Sequence, residues 1–159
     1  MSNQIHQMNV TYSAAEDRLL LRVSTTQEEE FRIWLTRRFV KLLLGVLVKE
    51  IDKRGGMPKV AANEETVSML EQGAMKKQYE VKQEVSYPFG EDGILAAKIN
   101  ITSRENDSLD LEILPEQGRG LTFSFNQSLL FMFYSMISQA INQSDLGIVD
   151  NEMLSMQLH

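Results

Sequence analysis

The sequence predicts an α+β fold made of two duplicated antiparallel sheet-plus-helix units, roughly βββα-α-ββββα, with the helices packed on the sheets. Three observations carry that prediction. Pairs of short segments alternate apolar and polar residues with a period of two. Each pair runs through a capping residue into a strongly apolar helical stretch. And residues 17–51 align without a gap on residues 107–141, ninety positions later.

The elements follow in order. Residues 5–13 place Met8, Val10 and Tyr12 on one face of a first strand. DRLLLRVS (17–24) aligns Leu19, Leu21 and Val23, and EEFRIWLT (29–36) aligns Phe31, Ile33 and Leu35. The short TTQE loop between them makes the pair an antiparallel hairpin. Thr36 caps a helix over RRFVKLLLGVLVKEIDKR, which Gly55-Gly56 ends. Asn63, Glu64 and Glu65 open a connecting helix over about 63–77. YEVKQEVSY (79–87) alternates as a strand does and leads by turn residues into ILAAKINITS, giving the second unit four strands. DSLDLEIL (107–114) and RGLTFSFN (119–126) repeat the hairpin, and Asn126 caps QSLLFMFYSMISQAIN.

The duplication rests on apolar pattern more than on identity. Five of the 35 aligned residues are identical, yet 14 of the 17 apolar positions in the first segment meet an apolar partner in the second. The expected organisation is a single domain over 1–159. Repeat one covers about 5–54, repeat two about 79–143, and a C-terminal tail spans 144–159. Both repeat helices are apolar beyond one stripe, which asks for burial on a second side. Helix on helix within the chain, or a homodimer, would satisfy this.

Composition narrows the function. The chain has 159 residues, no cysteine and two histidines, His6 and His159. Disulfides, thiolate metal sites and a cysteine nucleophile are excluded, and a histidine triad nearly so. No cofactor, metal site or catalytic set is specified, so a non-enzymatic protein is expected. Asp107, Asp110 and Glu112 supply too few oxygen ligands for a cation. No signal peptide is visible, and the longest apolar run, Leu42–Val48, is too short to cross a bilayer. Together these features suggest a soluble, cytoplasmic protein with no membrane association; a bacterial origin is implied only by the resemblance given below.

The net charge of −6 disfavours nucleic acid as a partner. The charge is unevenly spread, however. Residues 17–54 hold nine Lys and Arg against six Asp and Glu, whereas residues 107–143 hold one against four. Strand alternation turns Arg18, Leu20, Arg22, Arg32 and Trp34 away from the helix-facing side. At the aligned positions the second repeat has Ser108, Asp110, Glu112, Thr122 and Ser124. Arg18, Arg22, Arg32 and Trp34 are therefore the candidate interaction patch, suited to an acidic protein surface or to stacking. The plain structural alternative pairs Glu30 with Arg32 and covers Trp34 with a loop or terminus. A second basic group, Arg37, Arg38 and Lys41, sits at a helix start, where it could attract an anion or pair with Glu29 or Glu30.

The stretch AEDRLLLRVSTT…EFRIWLTRRFVKLLL resembles a small family of uncharacterised proteobacterial proteins. That resemblance implies no catalytic or binding residues. The order of strands and helix, present twice, also resembles the Whirly type of single-stranded nucleic-acid-binding fold, which implies oligomers binding single strands across their sheets. The functional expectation is a non-enzymatic binding or protein-interaction protein of unknown partner, forming a homodimer. Single-stranded nucleic-acid binding on the outer face of repeat one is the alternative.

Overall fold

The computed structural model describes residues 5–56 and 84–144. Their element order is β1 (Ile5–Ser13), β2 (Arg18–Thr25), β3 (Glu30–Leu35), α1 (Arg37–Lys53), β4 (Ile94–Leu95), β5 (Lys98–Ser103), β6 (Leu109–Leu114), β7 (Leu121–Phe125) and α2 (Gln127–Asn142). The expected α+β architecture is present, three strands and a helix followed by four strands and a helix. The expected connecting helix over 63–77 and the tail lie outside the described residues.

The strands form a four-stranded sheet, β1-β2-β3-β4, and a three-stranded sheet, β5-β6-β7. Their central hairpins pair in the same register at an offset of 90 residues. Leu19 faces Leu35 and Leu21 faces Ile33, just as Leu109 faces Phe125 and Leu111 faces Phe123. One-face burial makes this register the only workable one, because a slip of one residue would turn every apolar side chain to water.

Each helix starts where the sequence places a cap. The Thr36 hydroxyl accepts from the Phe39 amide at 3.2 Å, and Asn126 Oδ1 accepts from the Leu129 amide at 2.8 Å. Such caps contribute about 1 kcal/mol each by satisfying first-turn donors that have no helical partner. Phe39, Val40, Leu43, Leu44, Leu47, Val48 and Ile51 of α1 are buried, as are Leu130, Phe133, Tyr134, Ile137 and Ile141 of α2. The inner faces of both sheets and both helices share one core. The rings of Phe123, Phe125 and Phe133 cluster there with centroids 5.1–5.6 Å apart.

The second sides of the helices are covered in part within the chain, although Leu42 of α1 stays 50% exposed. α2 packs on α1, on β7 and across onto β1 of the other sheet.

The segment between the units departs from the sequence expectation. Residues 79–83 lie outside the described residues, and 84–87 do not hairpin onto the next strand. Instead Ser86 bridges Glu29 in parallel, and β4 runs parallel to β3. The edge of β3 holds unpaired amides and carbonyls that this segment satisfies. The Glu30 amide donates to the Ser86 carbonyl at 2.9 Å, and the Ala96 amide to the Trp34 carbonyl at 3.0 Å. The very next amide, Ala97, donates to the Leu114 carbonyl at 2.8 Å. The expected single strand 94–103 is thus two strands, and the chain changes sheets between Ala96 and Ala97.

Candidate interaction face and its strap

The outer face of the first sheet is built by strand alternation. Two rows cross it. Thr11, Leu20, Trp34 and Leu95 lie side by side across β1, β2, β3 and β4, and Asn9, Arg22 and Arg32 form the row beside them. Arg18 lies at the start of β2, paired with Ser13. Arg18, Arg22, Arg32 and Trp34 therefore share one face, and all four are half-buried.

Two of the four are engaged by a strap, residues 86–93, that runs along β3. Arg32 Nε donates to Glu30 Oε2 at 2.7 Å, and its Nη1 to the Glu91 carbonyl at 2.8 Å. Its guanidinium also lies over the Tyr87 ring, 4.8 Å from the centroid. Partial burial removes solvation from that cation and by itself would lower its pKa. The Glu30 hydrogen bond and charge outweigh this, so the pKa is raised. Trp34 Nε1 donates to the Asp92 carbonyl at 2.9 Å. Glu30 and a loop thus occupy Arg32 and Trp34, in the manner of the plain structural alternative.

The strap is anchored at its middle and at its far end. Phe89 packs edge-on against Phe31 with centroids 4.9 Å apart. Gly93 has φ +76°, and a Cβ there would stand 2.5 Å from the Arg32 carbonyl oxygen. Only glycine lets the backbone pass so close in that conformation. Glycine within EDG reads in the sequence as an ordinary turn. The contact that requires it spans 61 positions and left no local signal.

Arg22 Nε donates to Asn9 Oδ1 at 3.0 Å. Arg18 has no hydrogen-bond or ion-pair partner among the described residues. Leu95, which the sequence pattern did not single out, is 45% exposed at the end of the apolar row.

The matching face of the second sheet has different chemistry. Its rows are Thr102, Asp110 and Ser124, and Asn100, Glu112 and Thr122. Asp110 accepts from Arg104 and, at 2.9 Å, from the Ser124 hydroxyl. These hydrogen bonds stabilise the carboxylate and hold its pKa below the ordinary value, against a smaller opposing effect of burial. The Asp107 backbone carbonyl accepts from Arg54 Nε at 2.7 Å. Among the described residues no three acidic or histidine side chains converge as metal ligands.

At the start of α1, Arg37 pairs with Asp17 at 3.3 Å, not with Glu29 or Glu30. Asp17 sits at positive φ in the β1–β2 turn, where it also accepts from the Tyr12 hydroxyl at 2.6 Å. No described helix is long and apolar enough to cross a membrane. No protein-family model matches the sequence, and no curated protein is significantly similar to it.

Proposed function

We propose that this is a non-enzymatic protein-interaction protein, and that an acidic protein surface docks on the outer face of the first sheet around Arg18, Arg22, Arg32 and Trp34. One observation carries the reading. The two hairpins keep the same register, yet one outer face presents Leu20, Arg22, Arg32 and Trp34 where the other presents Asp110, Glu112, Thr122 and Ser124. Register maintains the core; it places no demand on outward residues, so their opposite chemistry points to different surroundings for the two faces.

The acidic face of a second copy is one surface of the right sign. Reciprocal contacts, basic face to acidic face, would close a twofold homodimer. The packing of α2 on α1 meets part of the demand made by helices too apolar for one stripe, and so weakens that argument for a dimer. The charge asymmetry still supports it. The shared register likewise supports an origin by internal duplication, and a cytoplasmic setting fits a chain without cysteine. The resemblance to the proteobacterial family names no partner, and that to the Whirly type belongs to the second reading below.

Light scattering tests the dimer: a mass of twice 18.2 kDa is expected at high micromolar concentration, falling toward 18.2 kDa with Arg22→Glu or high salt. A mass of 18.2 kDa throughout rejects it. The second reading, single-stranded nucleic acid, is favoured by the apolar row ending in Leu95 beside two arginines. Fluorescence anisotropy with short single strands at two salt concentrations separates the readings. Binding with a steep salt slope supports nucleic acid, and no binding at low salt removes it.

A further inference from the structure

The outward face of α1 is a surface independent of the sheet. Its residues recur at three- and four-residue spacing, so Arg38, Lys41, Leu42, Gly45 and Lys49 form one stripe, with half-buried Val46 at its margin. Three features of this stripe are unfavourable or unused among the described residues. Leu42 is 50% exposed, one of two large hydrophobic residues so exposed among those described. Gly45 stands in the middle of a 17-residue helix, and a Cβ there would meet nothing within 4 Å. Glycine at such a position weakens the helix relative to alanine, and no neighbour among the described residues requires it. Finally, Arg38, Lys41 and Lys49 are exposed and have no hydrogen-bond or ion-pair partner among the described residues. The stripe's counterpart on α2 has no charge: Ser128, Phe131, Met132, Ser135 and Gln139.

We propose that the outward face of α1 docks an acidic amphipathic helix of a partner protein, seated over the Gly45 notch between Leu42 and Val46. A missing side chain at the centre of a helix face lets a second helix approach closely, and a large apolar side chain of that helix fills the notch. The span from Arg38 to Lys49 is eleven residues, about 16 Å along the axis at 1.5 Å per residue. Carboxylates repeating every three or four residues on the partner match this span. The cations set the sign of the partner and speed its encounter.

Other occupants fit less well. A membrane surface needs several exposed apolar side chains, and the stripe has one large one. A polyanionic nucleic acid meets a chain of net charge −6 and no aromatic residue on this stripe. A second copy crossing α1 on α1 at Gly45 brings lysines against lysines.

The test begins with display selection. A library of 16-residue helical peptides, randomised on one face, is panned on the full-length protein. Enriched peptides are then measured by fluorescence anisotropy. Acidic peptides with a central large apolar residue are expected. Their affinity should fall at least tenfold with Gly45→Leu, and similarly with the double variant Lys41→Glu/Lys49→Glu. Arg22→Glu on the sheet should leave it unchanged, which separates this surface from the sheet face. Gly45→Ala provides the folding control: it should raise Tm while still weakening binding, a combination that loss of folding cannot produce. Failure to enrich any peptide, enrichment of neutral or basic peptides, or equal binding by wild type, Gly45→Ala and the charge variant would overturn the proposal.

Discussion

Arg54→Ala is expected to be among the most damaging single changes of a charged residue. Arg54 is the C-cap of α1, and its side chain is only 6% exposed, as is that of Glu50. Its Nη1 donates to Glu50 Oε1 at 3.1 Å, and its Nε and Nη2 reach the Asp107 and Ser108 carbonyls in the turn between β5 and β6. Gln127 Nε2, at the start of α2, donates to the Arg54 carbonyl at 2.7 Å. One residue thus ties the end of the first unit to two elements of the second. Removing one partner of a buried ion pair costs about 3–5 kcal/mol, because the remaining charge is left desolvated. Here the lower end applies, about 3 kcal/mol, since Lys53 still reaches Glu50 at 3.1 Å and exposed Asp107 can be rehydrated. In a chain of this size that lowers Tm by roughly 6–12 °C.

The pH dependence follows from Glu50. Burial alone would raise its pKa, but hydrogen bonds and charges from Lys53 and Arg54 outweigh burial and lower it. Its contribution to stability is therefore present above the unfolded carboxylate value, about 4.3, and is lost as pH falls through the lower folded value. Without Arg54 that contribution shrinks, so variant and wild type should converge as pH falls below about 4. Urea denaturation at pH 7 and at several acidic values measures both effects. The double variant Glu50→Gln/Arg54→Met should recover most of the loss, because no buried charge remains. A loss below about 1 kcal/mol for Arg54→Ala, or a double variant no better than the single, would refute the reasoning.

Three further outcomes are expected. Gly93→Ala should cost on the order of 1–3 kcal/mol and shift Trp34 emission to the red, because the strap must lift from β3; unchanged emission and Tm would show that the close approach to Arg32 is relieved elsewhere. Trp34→Ala should cost about 1–2 kcal/mol in thermal or urea unfolding, below the 3–5 kcal/mol of a fully buried aromatic; a loss in that higher range would make Trp34 a core residue and remove it from the proposed face. Thr36→Ala and Asn126→Ala should each lose about 1 kcal/mol by the same assays, and the two losses should add, since each hydroxyl or amide oxygen serves a different helix.

Much of the candidate face is legible in the sequence. Alternation alone put Arg18, Arg22, Arg32 and Trp34 on one side of two paired strands, and the ninety-residue offset showed that the second hairpin lacked them. What covers that face was not legible. The carbonyls of Glu91 and Asp92 take the donors of Arg32 and Trp34 from 59 and 58 positions away, and nothing in YPFGEDG marks which strand it will follow. Arg37 shows the same limit: Glu29 and Glu30 are nearer in sequence, but Asp17 in a distant turn is its partner.

The sequence by itself determined the two matching hairpins, the helix boundaries at Thr36 and Asn126, the common register and the asymmetry of charge. Each depends on contacts a few residues apart or on a period that the chain repeats. Tertiary structure decided where β4 goes, how Arg54 joins the units, and which helix faces remain open. Those outcomes depend on backbone groups, which carry no residue identity. A free strand edge accepts any extended segment that reaches it. Here the packing of two sheets and two helices brought Ser86, Ile94 and Ala96 to β3, and Asp107 and Ser108 to Arg54.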